Sequence, residues 1–152
     1  LATDKAQRIL DNIREAFALI TAAGGYNNTV GYKNLGVKPY TEIPEDQFPA
    51  LMVAGADENR ENGTNQTFTS VMDISIVGYI RSSDIQDHAV ALRELMDLIA
   101  DLTKALYVDH TRGGLCKFTE VGKVMTDKGV MFPYAAFEMV VQVEYRSEFT
   151  TP

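Results

Sequence analysis

The stretch that most constrains this fold is its last long run, Pro133-Tyr-Ala-Ala-Phe-Glu-Met-Val-Val-Gln-Val-Glu-Tyr-Arg-Ser-Glu-Phe149. Ala135, Phe137, Met139, Val141, Val143 and Tyr145 fall on alternate positions, with Tyr134, Ala136, Glu138, Val140, Gln142, Glu144 and Arg146 between them. Successive side chains of a strand point to opposite faces, so the run predicts one apolar and one largely polar face. It is far longer than the ordinary strand of about 5–6 residues. A strand of this kind needs a sheet around it and something to bury its apolar side.

Other stretches supply both. Ala6, Ile9, Leu10, Ile13, Phe17 and Ile20 recur at helical spacing, with Lys5, Arg8, Asp11, Asn12, Arg14 and Glu15 largely opposite. Thr3 or Asp4 would cap that helix, and Gly24-Gly25 would stop it. Ser83 with Gln86 reads as a capping box opening a second helix, whose stripe is Ile85, Ala89, Leu92, Met96, Ile99 and Leu106, widened by Leu95 and Leu102. Strands are predicted over Val30 to Leu35, Phe48 to Ala54, Thr67 to Ile80 and Phe118 to Met125. In the third of these, Phe68, Met72, Ile74, Ile76 and Ile80 face one way, while Thr67, Thr69, Asp73, Ser75 and Tyr79 face the other. The expected fold is α+β: a mostly antiparallel twisted sheet with two amphipathic helices packed on one face.

Two polar connections stand out. Residues 26–47 are rich in Asn, Gly and Pro, and a connection that long suggests an interface or functional loop. Residues 55–66 are strongly polar and contain Asn62-Gly63, a good type I′ turn pair. That segment reads either as the tip of a projecting hairpin or as a loop that orders on a partner.

The 152 residues fit one domain, here 1–152, and bury a core without staples. A net charge of −7 argues against a surface that grips phosphate backbones. One cysteine, Cys116, allows no internal disulfide and points to a reducing compartment, with the thiol acting as a small half-buried hydrophobe. No apolar stretch approaches a membrane span, and no signal-peptide core is evident. The sequons at Asn27, Asn62 and Asn65 therefore read as chance matches in Asn-rich loops.

Chemical motifs are missing. The two histidines, His88 and His110, are far apart, and no HExxH, CxxC, EF-hand, Walker, GxGxxG or GxSxG pattern occurs. Asp84, Asp87 and His88 share one side of the second helix, but helix-start carboxylates beside an exposed histidine are far commoner than a metal site. Glu45-Asp46 and Asp57-Glu58 read as solvated loop carboxylates. No catalytic, metal or cofactor residue is assigned, and the expectation is a protein that works through its surfaces.

Three stretches together carry a resemblance. They are Tyr40-Thr-Glu-Ile-Pro-Glu-Asp-Gln-Phe-Pro-Ala-Leu-Met-Val-Ala54, Val71-Met-Asp-Ile-Ser-Ile-Val-Gly-Tyr-Ile80 before a long helix, and the Thr126-Asp-Lys-Gly129 turn leading to Val143-Glu-Tyr-Arg146. With the first helix, they resemble the tail terminator (tail completion) proteins of long-tailed bacteriophages. Such proteins are small α/β domains that form a hexameric ring at the head-proximal end of the tail. The ring stops tube polymerisation and presents a surface to the neck. The resemblance implies a virion protein, assembled in the host cytoplasm, with a copy of itself, the tail tube protein, a head-completion or neck protein and in some tails a sheath as partners. DNA would pass through its bore without specific binding, and no cofactor or membrane is implied. Glu45, Asp46, Asp57, Glu58, Arg60, Glu61 and Asn62 are then candidate interface residues, and Asp73, Glu138, Gln142, Glu144 and Arg146 a candidate lumen or subunit-joint face. The rival readings are a head-side connector ring, and a small cytosolic enzyme or ligand-binding domain with a polar cavity near His88, His110 or Cys116.

Overall fold

A computed structural model describes residues 4–150. The elements are α1 (Lys5–Ala18), β1 (Tyr32–Leu35), β2 (Ala50–Asn62), β3 (Thr67–Arg81), α2 (His88–Val108), β4 (Phe118–Thr126) and β5 (Tyr134–Glu148). The five strands form one sheet in the order β1-β2-β3-β5-β4, antiparallel except for the β1–β2 pair. The chain is α+β, as its patterning predicts.

One core holds the fold together. Ile9, Ile13 and Phe17 of α1 and Leu95, Leu98 and Leu102 of α2 pack with Leu51, Val53, Met72, Ile74 and Ile76 and with Phe137, Met139, Val141 and Val143. Both helices thus cover the same sheet face, and the alternation of β5 appears in the structure residue for residue. Gly78 is paired with Phe137, whose ring lies where a side chain at 78 would sit: a Cβ there would be 2.2 Å from Phe137 Cε1.

Several boundaries differ from the patterning. Helix α1 ends at Ala18, not at Gly24-Gly25; Asp4 caps its start, accepting from Gln7 N–H at 2.8 Å, and Thr3 lies outside the described residues. Ala22–Gly24 forms a separate 3-10 turn, and Ile20 is buried beyond the helix end. Ser83 and Gln86 do not cap α2. Asp87 does, accepting from Ala89 N–H, while Ser83 hydrogen-bonds Glu94 and the Gln86 N–H is taken by Asp84. The five exposed residues Ser83–Asp87 carry the chain clear of the sheet first, and a cap works only where the helix can begin.

The buried face of α2 is also rotated from the expected one. Ala91, Leu95, Leu98, Asp101, Leu102, Ala105 and Leu106 face inward, whereas Leu92 is 54% and Met96 46% exposed. Apolar residues surround much of this helix, so periodicity alone offers two stripes. Ala91 and Ala105 on the inner stripe let the backbone approach, and Asp101 is accommodated because the 26–30 segment satisfies it.

Residues 55–62, read from sequence either as a hairpin tip or as a loop, are the distal half of β2, so the hairpin reading is the one that applies. The consecutive left-handed residues are Asn65 and Gln66 rather than Asn62-Gly63. They sit in the turn closed by the Thr67 N–H on the Thr64 carbonyl. Among the described residues no helix is long and apolar enough to cross a membrane.

Candidate functional site

The sheet face without helices is the broadest candidate surface. A small second core covers one end of it: Ile43, Ala50 and Met52 are buried, with Tyr32, Phe48, Val77 and Tyr79 packed on them. Residues of the 26–47 connection therefore fold back over the sheet. Tyr40 packs against Tyr79 and Tyr134, at ring centroid distances of 6.1 and 4.8 Å. Gly31 permits this closeness, since a Cβ there would lie 2.6 Å from the Gln47 carbonyl oxygen. The connection is thus partly core rather than wholly interface.

Beyond that cover the face is open and acidic. Strand register places Asp57 opposite Asp73, Asp73 opposite Gln142 and Gln142 opposite Glu120. Gln142 donates to Asp73 at 3.4 Å. The next row carries Asn59, Val71, Glu144 and Phe118, and the one after it Glu61, Thr69 and Arg146. Glu138 lies on the same face, opposite Val77. All five predicted lumen residues share this face, with Glu144 paired to Lys117 at 3.6 Å and Arg146 donating to Thr67. Carboxylates set directly opposite one another repel, which disfavours an idle arrangement.

The predicted interface residues do not form one patch. Glu45 and Asp46 are exposed in a 3-10 turn, where Glu45 pairs with Arg81 at 3.7 Å. Arg81 ends β3 at the Tyr134 end of the sheet, whereas Glu61 pairs with Thr69 near the other end. At about 3.3 Å per residue, twelve residues of β3 put those ends roughly 40 Å apart.

A bulge divides the rest. The β2–β3 register shifts between Val53 and Gly55, so the side-chain parity of β2 reverses there. Before the bulge, odd-numbered Leu51 and Val53 face the helices; after it, Glu58, Arg60 and Asn62 lie on the helix side and Asp57 and Glu61 on the open side. Glu58 accepts hydrogen bonds from Tyr145 Oη, from Ser70 Oγ at 3.0 Å and from Arg60 at 3.1 Å. The Arg60 guanidinium lies 4.5 Å from the Phe68 ring centroid. Burial pushes the Glu58 carboxyl up, but those hydrogen bonds and the Arg60 charge outweigh it and hold it below its ordinary value. Burial and the Glu58 contact push Tyr145 up to about 12. Glu58 and Arg60 thus brace the hairpin arm against β5.

The opposite end bears an apolar groove of about 310 Å³ between the start of α2 and the β4–β5 connection, lined by His88, Leu92, Leu95, Lys128 and Phe132 among others. His88 stacks on Phe132 at 3.7 Å. Val130 beside it is 86% exposed. His110 and Cys116 lie elsewhere, where the His110 carbonyl accepts from Thr119 Oγ1 at 2.8 Å and Cys116 is buried. Burial pushes the Cys116 thiol up. Asp84 and Asp87 serve backbone amides, and no group of three or more metal-ligating side chains is gathered among the described residues.

Sequence reasoning missed Asp101 and Arg112. Asp101 is buried within α2 and accepts from Asn27 N–H, Asn28 N–H and the Asn28 side-chain amide at 2.9–3.0 Å. Arg112, 1% exposed, turns its guanidinium onto the Leu106 and Asp109 carbonyls at the end of α2. Their signal was faint: an Asp inside an apolar stripe, and an Arg just before Gly113-Gly114.

No protein-family model matches the chain, and a search of characterised proteins finds no match.

Proposed function

We propose that this chain is a structural ring protein of a phage tail, a tail terminator that caps the tube and presents its far side to the neck. The observation that carries the reading is the helix-free acidic sheet face, with Asp57, Asp73 and Glu120 in one row, Glu144 in the next, and Glu138 two rows away on the other side. Such a face suits a bore through which DNA slides, because like charge keeps the polyanion from sticking. Two chemically different ends support the same reading: a polar hairpin arm at one, and an apolar groove with exposed Leu92 and Val130 at the other. A ring that joins two partners needs two unlike ends.

The test mixes the protein with its tail tube and follows length and end structure by electron microscopy. Six-fold caps on tube ends, with elongation halted, are the expected result. Tubes that lengthen normally overturn the reading, and capture of portal components instead of tube moves the protein to the head side of the neck.

The groove at His88 favours one second reading, a ligand-binding domain, since about 310 Å³ is at the small end of ligand pockets. That reading requires a monomer or dimer whose thermal stability rises with a small apolar ligand, and His88→Ala must abolish the rise.

A further inference from the structure

We infer that copies of this chain join through their sheet edges, the outer edge of β2 in one copy lying against β4 of the next. This rests on the ring reading and names the joint. β1 covers β2 only from Ala50 to Val53, so from Ala54 to Asn62 the outer edge of β2 has no strand partner among the described residues. At the other side of the sheet β4 is also an edge. The Val121 N–H there is capped by the Tyr107 hydroxyl at 2.9 Å, so an incoming strand displaces that contact at this one position. Open edges of this kind are templates for pairing with another chain.

Direction and charge choose the occupant. β2 and β5 run one way, β3 and β4 the other. A neighbour related by rotation about an axis from which the strands tilt modestly therefore brings its β4 beside β2 in antiparallel register. Each copy uses both edges once, a head-to-tail contact that closes into a ring. The helices cover one face, so their bulk lies outside and the acidic face turns inward.

With the sheets level, the neighbour's Glu120 would stand next to Asp57 and Asp73, a third carboxylate in the row. A closed ring of tilted strands staggers its strands. One row of stagger toward the arm sets the bulged Gly122-Lys123 of the neighbour beside Asp57, Glu120 beside Asn59, and Phe118, next to Lys117, beside Glu61. Among the described residues Asp57 and Lys123 make no ion pair, so this offset supplies what each lacks. The partner is a second copy of this chain, with Asp57 and Lys123 as the central pair.

The test uses the whole protein with Asp57→Lys, Lys123→Glu and the double exchange, all at exposed positions. Assembly is measured by light scattering with tail tube present. Each single change should raise the concentration needed for ring formation roughly tenfold or more, since like charges then meet at the joint, and the double exchange should restore it. Amide exchange along residues 55–62 should slow on assembly. Single variants that assemble normally, loss without rescue, or arm amides that stay unprotected each overturn the joint while leaving a ring formed by the parent chain intact. A parent chain that forms no closed assembly removes the ring reading, and the joint with it.

Discussion

Asp101 shows how one side chain can decide where a long connection lies. Its two oxygens hold the backbone amides of Asn27 and Asn28, and the position is buried, so truncation strands three donors. Asp101→Ala should cost about 1–3 kcal/mol in chemical denaturation, the range for losing part-buried hydrogen bonds to a charged group, and should speed amide exchange at Asn27 and Asn28. Tyr145 makes a second prediction. Its folded value of about 12 stands above the ordinary 10, so the neutral phenol stabilises the fold fully below pH 10. That contribution is lost as pH rises from about 10 to 12. Glu58 acts in the opposite sense, its contribution fading as pH falls through its depressed folded value. Tyr145→Phe should flatten the alkaline loss in a stability-against-pH series while leaving the fold in place.

Among the elements, α2 departs most from its periodicity: Leu95, Leu102 and Leu106 of the expected stripe are buried, but Leu92 and Met96 are not. Leu95 is buried and Leu92 is not, though both belong to apolar runs. Leu95→Ala should therefore cost about 2–5 kcal/mol by emptying core space, whereas Leu92→Glu should leave the melting midpoint nearly unchanged. A large loss of stability for Leu92→Glu would mean that this residue is covered in the isolated chain. β2 teaches a related lesson. Its first four residues are all buried and the rest all exposed, so no alternation shows its faces. The bulge reverses the parity of the two halves, placing even-numbered Glu58 and Arg60 on the helix side where even-numbered Met52 is not. Gly55 is the one local hint of the bulge, whose position is set by the β3 register opposite.

For the whole molecule, the acidic face makes a charge prediction independent of any joint. The protein should not retard duplex DNA. Replacing Asp73 and Glu144 by Lys should produce retardation that vanishes with added salt, as counterion release requires. A parent chain that binds duplex tightly would remove the rationale for the acidic bore.

What the sequence determined by itself was the periodic content. The two faces of β5, the core side of β3, the inward stripe of α1 and the α+β class all follow from alternation and helical spacing, which are local properties of consecutive residues. What only the tertiary structure decided was the choice among locally equivalent options. It selected which stripe of α2 is buried, where its cap falls, that 55–62 is strand, and that Tyr40 and Ile43 return to cover the sheet. The candidate site divides along the same line. The lumen residues share a face because β3 and β5 keep regular register, whereas the interface residues scatter because a bulge and a folded-back connection reposition them. Alternation is written into neighbours in the chain; register, bulges and burial arise from partners far away in it, and no local spacing encodes them.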